Sequence, residues 1–552
     1  MKNSTPFLAK FDGARTGLAN LFWLVSFFFM LLMPVCFITG FPVPFLEGTA
    51  FKMKSLRKPF ELFYIFFSLG VLFHPARGKI IDWIKTKLDR IADWRGAIWA
   101  LTVIYFLLHL WTQVSRYLSL EINFVPFLFY DYMLWFFDQG KFCYTGFLHG
   151  YYHVNLVLLL LYPVWNVIQS QWILHVAQPL ITSVAALPFY FWSRERLNNN
   201  LYALTAAFVY LNYRYLQNVL SVNFAVEIFY PLTIFSAVWF ASKPVNLFYW
   251  TAVMAGLLTK EDSIIYFGGL GIAYLFSPAQ RARGFWTVVL SLAYAVFVLK
   301  IFLPWSESTI LKGDMHNYRE IIADPLGFLL KPWIFIRELF IPLEKLETFF
   351  KLTSKLLFLP LFSSWFFLAV LAVYPLFFRA AGQFEMHAQF IELALYYSAP
   401  VLPFLFLAFV DGWKRALGSR FLQHQGLPGL ILALLVFLNG FNFRPERFTQ
   451  DDIRTISLAK TLPKDKVVVT QGHLLPYLGY RQWNFYFADP YQNNSYTKEA
   501  YSQPDYYFFD FEANSYPLSP EALREKAVAL RNEGRYKVLV EDHRRLVLQR
   551  QS

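Results

Sequence analysis

Charged residues are scarce in this chain of 552 residues: they make up 16% of it, whereas a soluble domain carries about 25%. A bilayer explains this deficit, because apolar side chains are favoured against lipid and charged ones are strongly disfavoured. Hydrophobic residues make up 57% of the chain, and a bilayer core asks for about 20 of them per crossing helix. They come in long runs, which include 21–40, 97–111, 285–303 and 356–378. The composition therefore predicts an integral membrane protein whose main partner is the lipid bilayer.

Several other features are missing. The chain has two cysteines, Cys36 and Cys143, in apolar or aromatic surroundings, so no disulfide framework is indicated. It has no glycine-rich nucleotide loop, no zinc-ligand spacing and no Ser-His-Asp order. A net charge of +13 can indicate nucleic-acid binding. Here, however, the basic residues are scattered between apolar runs, as juxtamembrane anchors are. We expect no nucleic-acid partner.

The apolar runs predict about twelve to thirteen transmembrane helices. Between the second and third runs, the segment 77–95 carries six lysines and arginines, and its apolar residues recur at helical spacing. This pattern predicts a basic amphipathic helix on an anionic membrane surface. By the positive-inside rule that surface is cytoplasmic, and the N-terminus lies on the same side. An odd number of crossings places the C-terminus on the extracytoplasmic side, and one run that fails to cross reverses that assignment.

The pattern predicts three parts. Residues 1–96 hold two transmembrane helices and the basic surface helix, and residues 97–443 form a transmembrane core with external loops at 116–153 and 304–355. Residues 444–552 form a small soluble α/β domain, because short β-rich stretches there alternate with polar helical ones. We expect helices at 453–462 and 520–532, and strands at 466–470, 484–487, 506–511, 536–540 and 546–548. The last two strands form a hairpin around Asp542 and His543.

Polar residues near membrane depth are costly and are therefore functional candidates. The first group is Asp131, Asp138 and Gln139 in the loop 116–153. A carboxylate here can act as a general base toward an acceptor hydroxyl, or it can bind a divalent cation. The alternative is that both aspartates only solvate an external loop.

The second group is the triplet Lys260, Glu261 and Asp262, which lies between two short apolar runs. It is either an ion pair between helix ends or a phosphate-facing lysine oriented by its acidic neighbours. Glu227 precedes the run 228–241, and His153 opens the run 154–168. A lone histidine at an interface is usually only a tolerated polar tip.

The loop 312–331 is basic and aromatic and includes Arg319. Its cations suit a lipid pyrophosphate, but four acidic residues of the segment 307–324 lie among them. A solvated loop of mixed charge is the alternative interpretation.

Several segments resemble, in order, the bacterial membrane family catalogued as domain-of-unknown-function 2079. The resemblance covers about residues 97–552, and the first ninety-five residues look like an extension. The matching segments are the loop 131–139, Tyr162-Pro163, Gln178, 188–190, 224–227, the Leu-Thr-Lys-Glu-Asp sequence 258–262, Tyr396-Tyr397 before Pro400 and Pro403, 466–469, 475–478 with Arg481, and 505–510.

This family resembles the GT-C class of lipid-dependent glycosyltransferases, which implies a GT-C-like core in a bacterial inner membrane. The resemblance also implies a polyprenyl-phosphate sugar donor and an acidic residue in the first external loop. By that likeness Asp131 is the candidate base, or the ligand of a divalent cation, and Asp138 is its substitute. Lys260 is the candidate phosphate contact. The other candidates for substrate contact are Glu227, Glu261, His153, Gln139 and Arg319.

The chain departs from the family pattern at three points. Asp131, Asp138 and Gln139 are spaced more widely than usual, Ala225 replaces a histidine, and the histidine usual near Tyr396 is absent. The leading hypothesis is a glycosyltransferase that modifies a cell-envelope acceptor. The alternatives are a transporter or lipid flippase, and a non-catalytic scaffold whose C-terminal domain binds an envelope partner.

Overall fold

The computed structural model describes residues 6–40, 55–122, 124–138, 154–302, 339–379, 387–419, 427–480, 484–487 and 501–551, and the single positions 333 and 337. Most of these residues are helical, and a single small sheet forms near the C-terminal end of the described part. The predicted class, a helical membrane protein with a small C-terminal α/β domain, is confirmed.

The helices before residue 303 are α1 (Pro6–Thr39), α2 (Arg57–Phe73), α3 (Arg77–Asp93), α4 (Ala97–Leu118), α5 (Phe124–Asp138), α6 (Tyr162–Ile168), α7 (Trp172–Val184), α8 (Ala186–Leu197), α9 (Asn200–Asn212), α10 (Arg214–Leu220), α11 (Phe229–Ala241), α12 (Asn246–Leu257), α13 (Ser263–Leu275) and α14 (Arg281–Phe297). The later helices are α15 (Glu344–Ser354), α16 (Trp365–Arg379), α17 (His387–Ile391), α18 (Val401–Leu417), α19 (Leu427–Leu438), α20 (Gln450–Thr461) and α21 (Pro520–Asn532).

Within the described ranges, four helical stretches are long and apolar enough to cross a membrane: Gly13–Thr39, Ala97–Leu118, Trp172–Leu197 and Arg281–Phe302. Other predicted crossings are shorter. The run 154–168 forms a 3-10 turn and the seven-residue α6, and α13 has 13 residues. At 1.5 Å per residue, α13 is about 20 Å long, whereas a bilayer core is about 30 Å thick. The number of crossings stays a prediction.

The turns that carry many of the basic residues meet at one end of the helix bundle. The side-chain amide of Asn200 donates to the carboxylate of Asp93 (3.0 Å), which joins the start of α9 to the end of α3. Lys243 pairs with Glu195 of α8, and the guanidinium of Arg283 donates to the carbonyl oxygen of Lys243 (2.9 Å). We call this region, formed by α3 and the turns 194–200, 241–246 and 277–283, the basic end.

The last turns of α18 belong to the basic end as well. Asp411 is 1% exposed, and it forms ion pairs with Arg196 of α8 and with Arg415. The hydroxyl of Ser363 donates to its second carboxylate oxygen (2.9 Å). The same end therefore holds cations from helices far apart in the chain.

The C-terminal domain packs on the opposite end of α4. The hydroxyl of Tyr477 donates to the carbonyl oxygen of Tyr117 (2.8 Å), and the hydroxyl of Tyr132 in α5 donates to the carbonyl oxygen of Gly479 (3.3 Å). Because α4 starts beside α3 and ends at this contact, the helix bundle separates the domain from the basic end.

The domain contains one mixed sheet. Its strands are β1 (Val468–Thr470), β2 (Asn484–Tyr486), β3 (Tyr506–Asp510), β4 (Tyr536–Glu541) and β5 (Arg545–Arg550), in the order β2-β1-β3-β5-β4. β1 is parallel to β2 and β3, and β5 is antiparallel to β3 and β4. All five predicted strands and both predicted helices, α20 and α21, are confirmed, and so is the hairpin around Asp542 and His543. The boundary of the domain at residue 444 stays a prediction.

Two glycines bring α13 and α14 into close contact. A Cβ atom added at Gly284 would lie 2.7 Å from the carbonyl oxygen of Gly271, and one added at Gly271 would lie 3.0 Å from the carbonyl oxygen of Gly284. Small residues allow such backbone approach between helices in lipid, where the hydrophobic effect does not drive association. This contact fixes α13, whose first residues follow the charged triplet.

We expect Gly284→Ala to push α13 and α14 apart, because the added methyl group meets backbone that cannot rotate away. Overpacking of this kind costs about 1–3 kcal/mol and lowers the melting temperature of the detergent-solubilised protein. Gly268→Ala in α13 is the matched control, because its Cβ would meet only Ser291 Cβ at 3.8 Å. Equal melting temperatures for the two variants would contradict the packing assigned to Gly284.

Candidate functional site

The predicted site residues fall into three groups in the structure. Gln139, His153 and Arg319 lie outside the described residues. Glu227, Lys260 and Glu261 lie at helix ends on the side of the bundle away from the basic end. Asp131 and Asp138 lie on α5, which is not among the helices long enough to cross a membrane.

Lys260 and Glu227 form a buried ion pair. Lys260 lies in the turn between α12 and α13, and Glu227 lies in the 3-10 turn that precedes α11. A short turn at the basic end joins α11 and α12, so the start of α11 and the end of α12 meet at the other end. The Lys260 Nζ to Glu227 Oε1 distance is 2.8 Å, and the two side chains are 8% and 3% exposed. The sequence predicted the lysine as a candidate, and the structure supplies its partner.

One oxygen atom of the pair has no described partner. Glu227 Oε2 is buried and has no hydrogen-bond partner among the described residues, although buried carboxylate oxygens are normally satisfied. Lys260 Nζ lies 5.8 Å from the centre of the Tyr396 ring, a cation–π distance. This carboxylate oxygen could accept a hydrogen bond from a hydroxyl group or a water molecule.

The two acidic neighbours of Lys260 have other partners. Asp262 accepts hydrogen bonds from the hydroxyls of Tyr230 and Tyr266, the second at 3.0 Å. Glu261 Oε2 accepts the backbone N–H of Val154 (3.1 Å). Asp262 therefore joins α11 to α13, and Glu261 binds the backbone of Val154, just before the 3-10 turn that leads to α6. Lys260 alone of the triplet faces Glu227.

The ion pair also lies deep in the bundle. α12 has 12 residues and is therefore about 18 Å long, and it leads from the basic end to the turn of Lys260. The pair therefore lies about one length of α12 from the basic end, and the surrounding helices bury both side chains. Buried ionised groups are rare in membrane proteins, and they usually serve a function.

Asp131 lies between the bundle and the C-terminal domain, and it is 4% exposed. The hydroxyl of Tyr480 donates to its Oδ1 (2.6 Å), and the Trp165 indole N–H donates to the Tyr480 hydroxyl oxygen (3.1 Å). Burial raises the pKa of Asp131 to about 7, against the lowering effect of the Tyr480 hydrogen bond. A carboxyl with this pKa suits proton transfer near neutral pH.

Tyr130 connects Asp131 to the ion pair. Its ring packs against Phe224 (centroids 5.4 Å apart), and its hydroxyl bonds to the backbone of Val226 and interacts electrostatically with Glu227 and Lys260. Asp131 is the next residue of α5, and consecutive Cα atoms are about 3.8 Å apart. The Asp131 side chain contacts Tyr480, whereas the Tyr130 hydroxyl contacts Val226 beside the pair. The aspartate and the ion pair are thus neighbours that Tyr130 connects.

Asp138 lies two helical turns farther along α5, about 10 Å from Asp131, and its side chain is exposed. Among the described residues, no group of three His, Cys, Asp or Glu side chains could hold a metal ion. Mg²⁺ and Ca²⁺ take six or more oxygen ligands, whereas the described neighbours of Asp131 are a tyrosine hydroxyl and, beyond it, an indole. We therefore derive no step through a metal at Asp131.

Sequence reasoning missed the aromatic partners of the charged residues. Tyr480 lies 349 positions from Asp131 in the sequence. The chain has 33 tyrosines, and nothing in the sequence sets apart the four that contact the charged residues: Tyr130, Tyr230, Tyr266 and Tyr480. From composition alone, tyrosines in a membrane protein are expected at the membrane–water interface. The one signal available was that Tyr130 adjoins Asp131 in the candidate loop.

These features define a polytopic helical membrane protein with a buried charged site under a docked α/β domain. The chain belongs to the DUF2079 family of predicted membrane proteins, whose model matches residues 127–547. The match begins in α5 and ends in β5, so it includes Asp131, the ion pair and Tyr480. No curated protein matches the chain.

We expect Lys260→Met to destabilise the protein, because it leaves the Glu227 carboxylate buried and unpaired. Breaking a buried pair in this way costs about 3–5 kcal/mol. The double variant with Glu227→Gln should recover much of that loss, since the carboxylate that Lys260 pairs with is then neutral as well. Thermal unfolding of the four proteins of this cycle measures the coupling. Strictly additive losses, or a stable Lys260→Met protein, would contradict the pairing.

Proposed function

We propose that this protein is a membrane glycosyltransferase that transfers a sugar from a polyprenyl-phosphate donor to a cell-envelope acceptor. One observation carries the proposal. A buried carboxyl with a pKa of about 7 and a buried ion pair whose cation is Lys260 lie in one region at the end of the bundle away from the basic residues. Sugar transfer from a phosphate needs both a base and a cation.

We further propose that the protein lies in a bacterial inner membrane with the basic end in the cytoplasm. The cations of α3 and of the turns at 194–200, 241–246, 277–283 and 411–415 are the basis, because lysine and arginine are enriched in cytoplasmic loops. α1 packs against α2, which ends beside α3, so the N-terminus is also cytoplasmic. The candidate site and the C-terminal domain are then extracytoplasmic.

In the proposed reaction Asp131 removes the proton from the acceptor hydroxyl, whose oxygen attacks the anomeric carbon of the sugar. The bond between that carbon and the phosphate oxygen breaks, and the phosphate leaves with the electron pair. Attack from the opposite side inverts the anomeric configuration. The Lys260 ammonium stabilises the charge of the departing lipid phosphate.

Glu227 keeps Lys260 charged and in place before the donor binds. The phosphate of the donor then replaces the Glu227 carboxylate as the anion beside Lys260. Tyr480 acts on Asp131 as Glu227 acts on Lys260: before the acceptor binds, its hydroxyl donates a hydrogen bond to Asp131 Oδ1. The acceptor hydroxyl then replaces it. Glu261, His153, Gln139 and Arg319 are proposed as further substrate contacts.

A transporter or lipid flippase is the second candidate, and the depth of the Glu227–Lys260 pair favours it. Such a protein would move a lipid phosphate past the pair without breaking a covalent bond. Uptake or flipping by reconstituted vesicles without any glycosylated product would support this function over transfer.

We expect Asp131→Asn to lower the rate of sugar transfer at least about 100-fold, the contribution of a general base. The amide keeps the shape of the side chain and can still accept the Tyr480 hydrogen bond, so the fold is retained. Asp138→Asn is the matched comparison, because Asp138 is the alternative candidate base and an exposed aspartate of the same helix; with Asp131 as the base, this variant should keep the wild-type rate. The measurement is the envelope glycan of cells that carry each variant, together with transfer from polyprenyl-phosphate sugars in proteoliposomes. Normal glycan with Asp131→Asn would refute the assignment.

The pH dependence of the wild-type rate provides a further check. Asp131 accepts a proton only in its ionised form, so the rate should rise as pH increases through about 7. A rate that is flat across neutral pH while Asp131→Asn is inactive would assign Asp131 a structural role.

A further inference from the structure

We propose that the basic end carries a binding site for one anionic phospholipid. The site is an open groove between α1, α2 and α3, and its volume is about 420 Å³, within the roughly 300–1,000 Å³ of small-molecule sites. It is lined by Trp23, Phe67, Lys79, Ile80, Trp83 and Ile84. An acyl chain would lie along the aromatic and aliphatic wall, and the lipid phosphate would pair with Lys79. This inference does not depend on the proposed transferase activity.

The apolar side of α3 has little protein against it. Among the large apolar residues of this segment, Ile81 is 53% exposed, Trp83 62%, Ile91 53% and Trp94 60%. Ala92 is the one residue of α3 that the described part of the chain buries. Exposed tryptophan and isoleucine on an interfacial helix are typical of a surface that inserts among lipid chains.

The charges of α3 are arranged for an anionic surface. With 3.6 residues per turn, Lys79 and Arg90 flank one edge of the apolar side and Lys85 flanks the other. The three aspartates of α3 point the opposite way, and Asp93 accepts the Asn200 hydrogen bond that fixes α3 to α9. The cations can therefore reach a phosphate layer, while Asp93 lies on the side of α3 that contacts α9.

The groove adds a specific position to this general attraction. The stem of Lys79 lines the apolar wall of the groove, and a second cation, Lys87, has its Nζ 5.8 Å from the centre of the Trp83 ring. A soluble anion would pair with Lys79 but would not cover the apolar wall. An apolar peptide would cover the wall but would leave Lys79 without an anion. A two-part ligand with a negative head and an apolar tail satisfies both, and an anionic glycerophospholipid of the same leaflet is such a ligand.

The test is native mass spectrometry of the full-length protein, titrated in detergent with phosphatidylglycerol or with phosphatidylcholine of equal chain length. We expect the protein to retain one phosphatidylglycerol molecule in preference to phosphatidylcholine. Lys79→Gln should weaken the binding of phosphatidylglycerol about fivefold, because one lysine near an anionic lipid contributes about 1 kcal/mol. The control is Lys414→Gln, which removes an exposed cation of the basic end outside the groove and should leave retention unchanged.

Equal retention of the two lipids, or equal losses from Lys79→Gln and Lys414→Gln, would overturn the proposal, because attraction would then be spread over the whole basic end. A second measurement uses only wild type and Trp83→Phe. Phosphatidylglycerol with brominated chains should quench tryptophan fluorescence more than brominated phosphatidylcholine. Trp83→Phe should reduce that difference, and the remainder comes from Trp23, the other tryptophan of the groove. A difference that Trp83→Phe leaves unchanged would place the lipid elsewhere.

Discussion

The ion pair between Lys260 and Glu227 is the constraint on which the candidate site depends. Two charges taken out of water are costly, and removing either partner strands the other. A buried pair is therefore stable only where the surrounding helices hold the two side chains together. The glycine contact between α13 and α14 holds these two helices together near the basic end. At the other end, the hydroxyls of Tyr230 and Tyr266 on Asp262 tie α11 to α13 beside the turn of Lys260. The short helices α11 to α13 thus hold the pair at one end of the bundle.

The C-terminal domain belongs to this arrangement rather than standing apart from it. Its Tyr480 reaches Asp131, and its Tyr477 reaches the end of α4. Any acceptor that approaches Asp131 must therefore displace a residue of this domain. The surface helix α3 lies at the other end of the bundle, where its cations and exposed tryptophans suit a membrane surface. The two ends of the molecule thus have different chemistry, and the helices between them set the distance.

Much of the fold followed from local patterns, and the partners within the site did not. The apolar run of α1, the amphipathic spacing of α3 and the β-rich stretches of β3 to β5 are each visible within about twenty residues, because composition and periodicity are local signals. The same signal could not tell the lipid-exposed α14 from the protein-buried α11, since hydropathy treats both surroundings alike. Lys260 was identified because a charge between apolar runs is conspicuous. Its pairing with Glu227, and that of Asp131 with Tyr480, depend on tertiary packing across 33 and 349 positions.

We propose that the Lys260–Glu227 pair is the place where the donor phosphate binds. A structure of the protein in a lipid nanodisc with a polyprenyl-phosphate sugar bound tests this directly. We expect the donor phosphate within about 3 Å of Lys260 Nζ, a hydrogen-bonding distance, with Glu227 displaced and the sugar directed toward Asp131. A donor bound elsewhere, with the Lys260–Glu227 pair still closed, would contradict it.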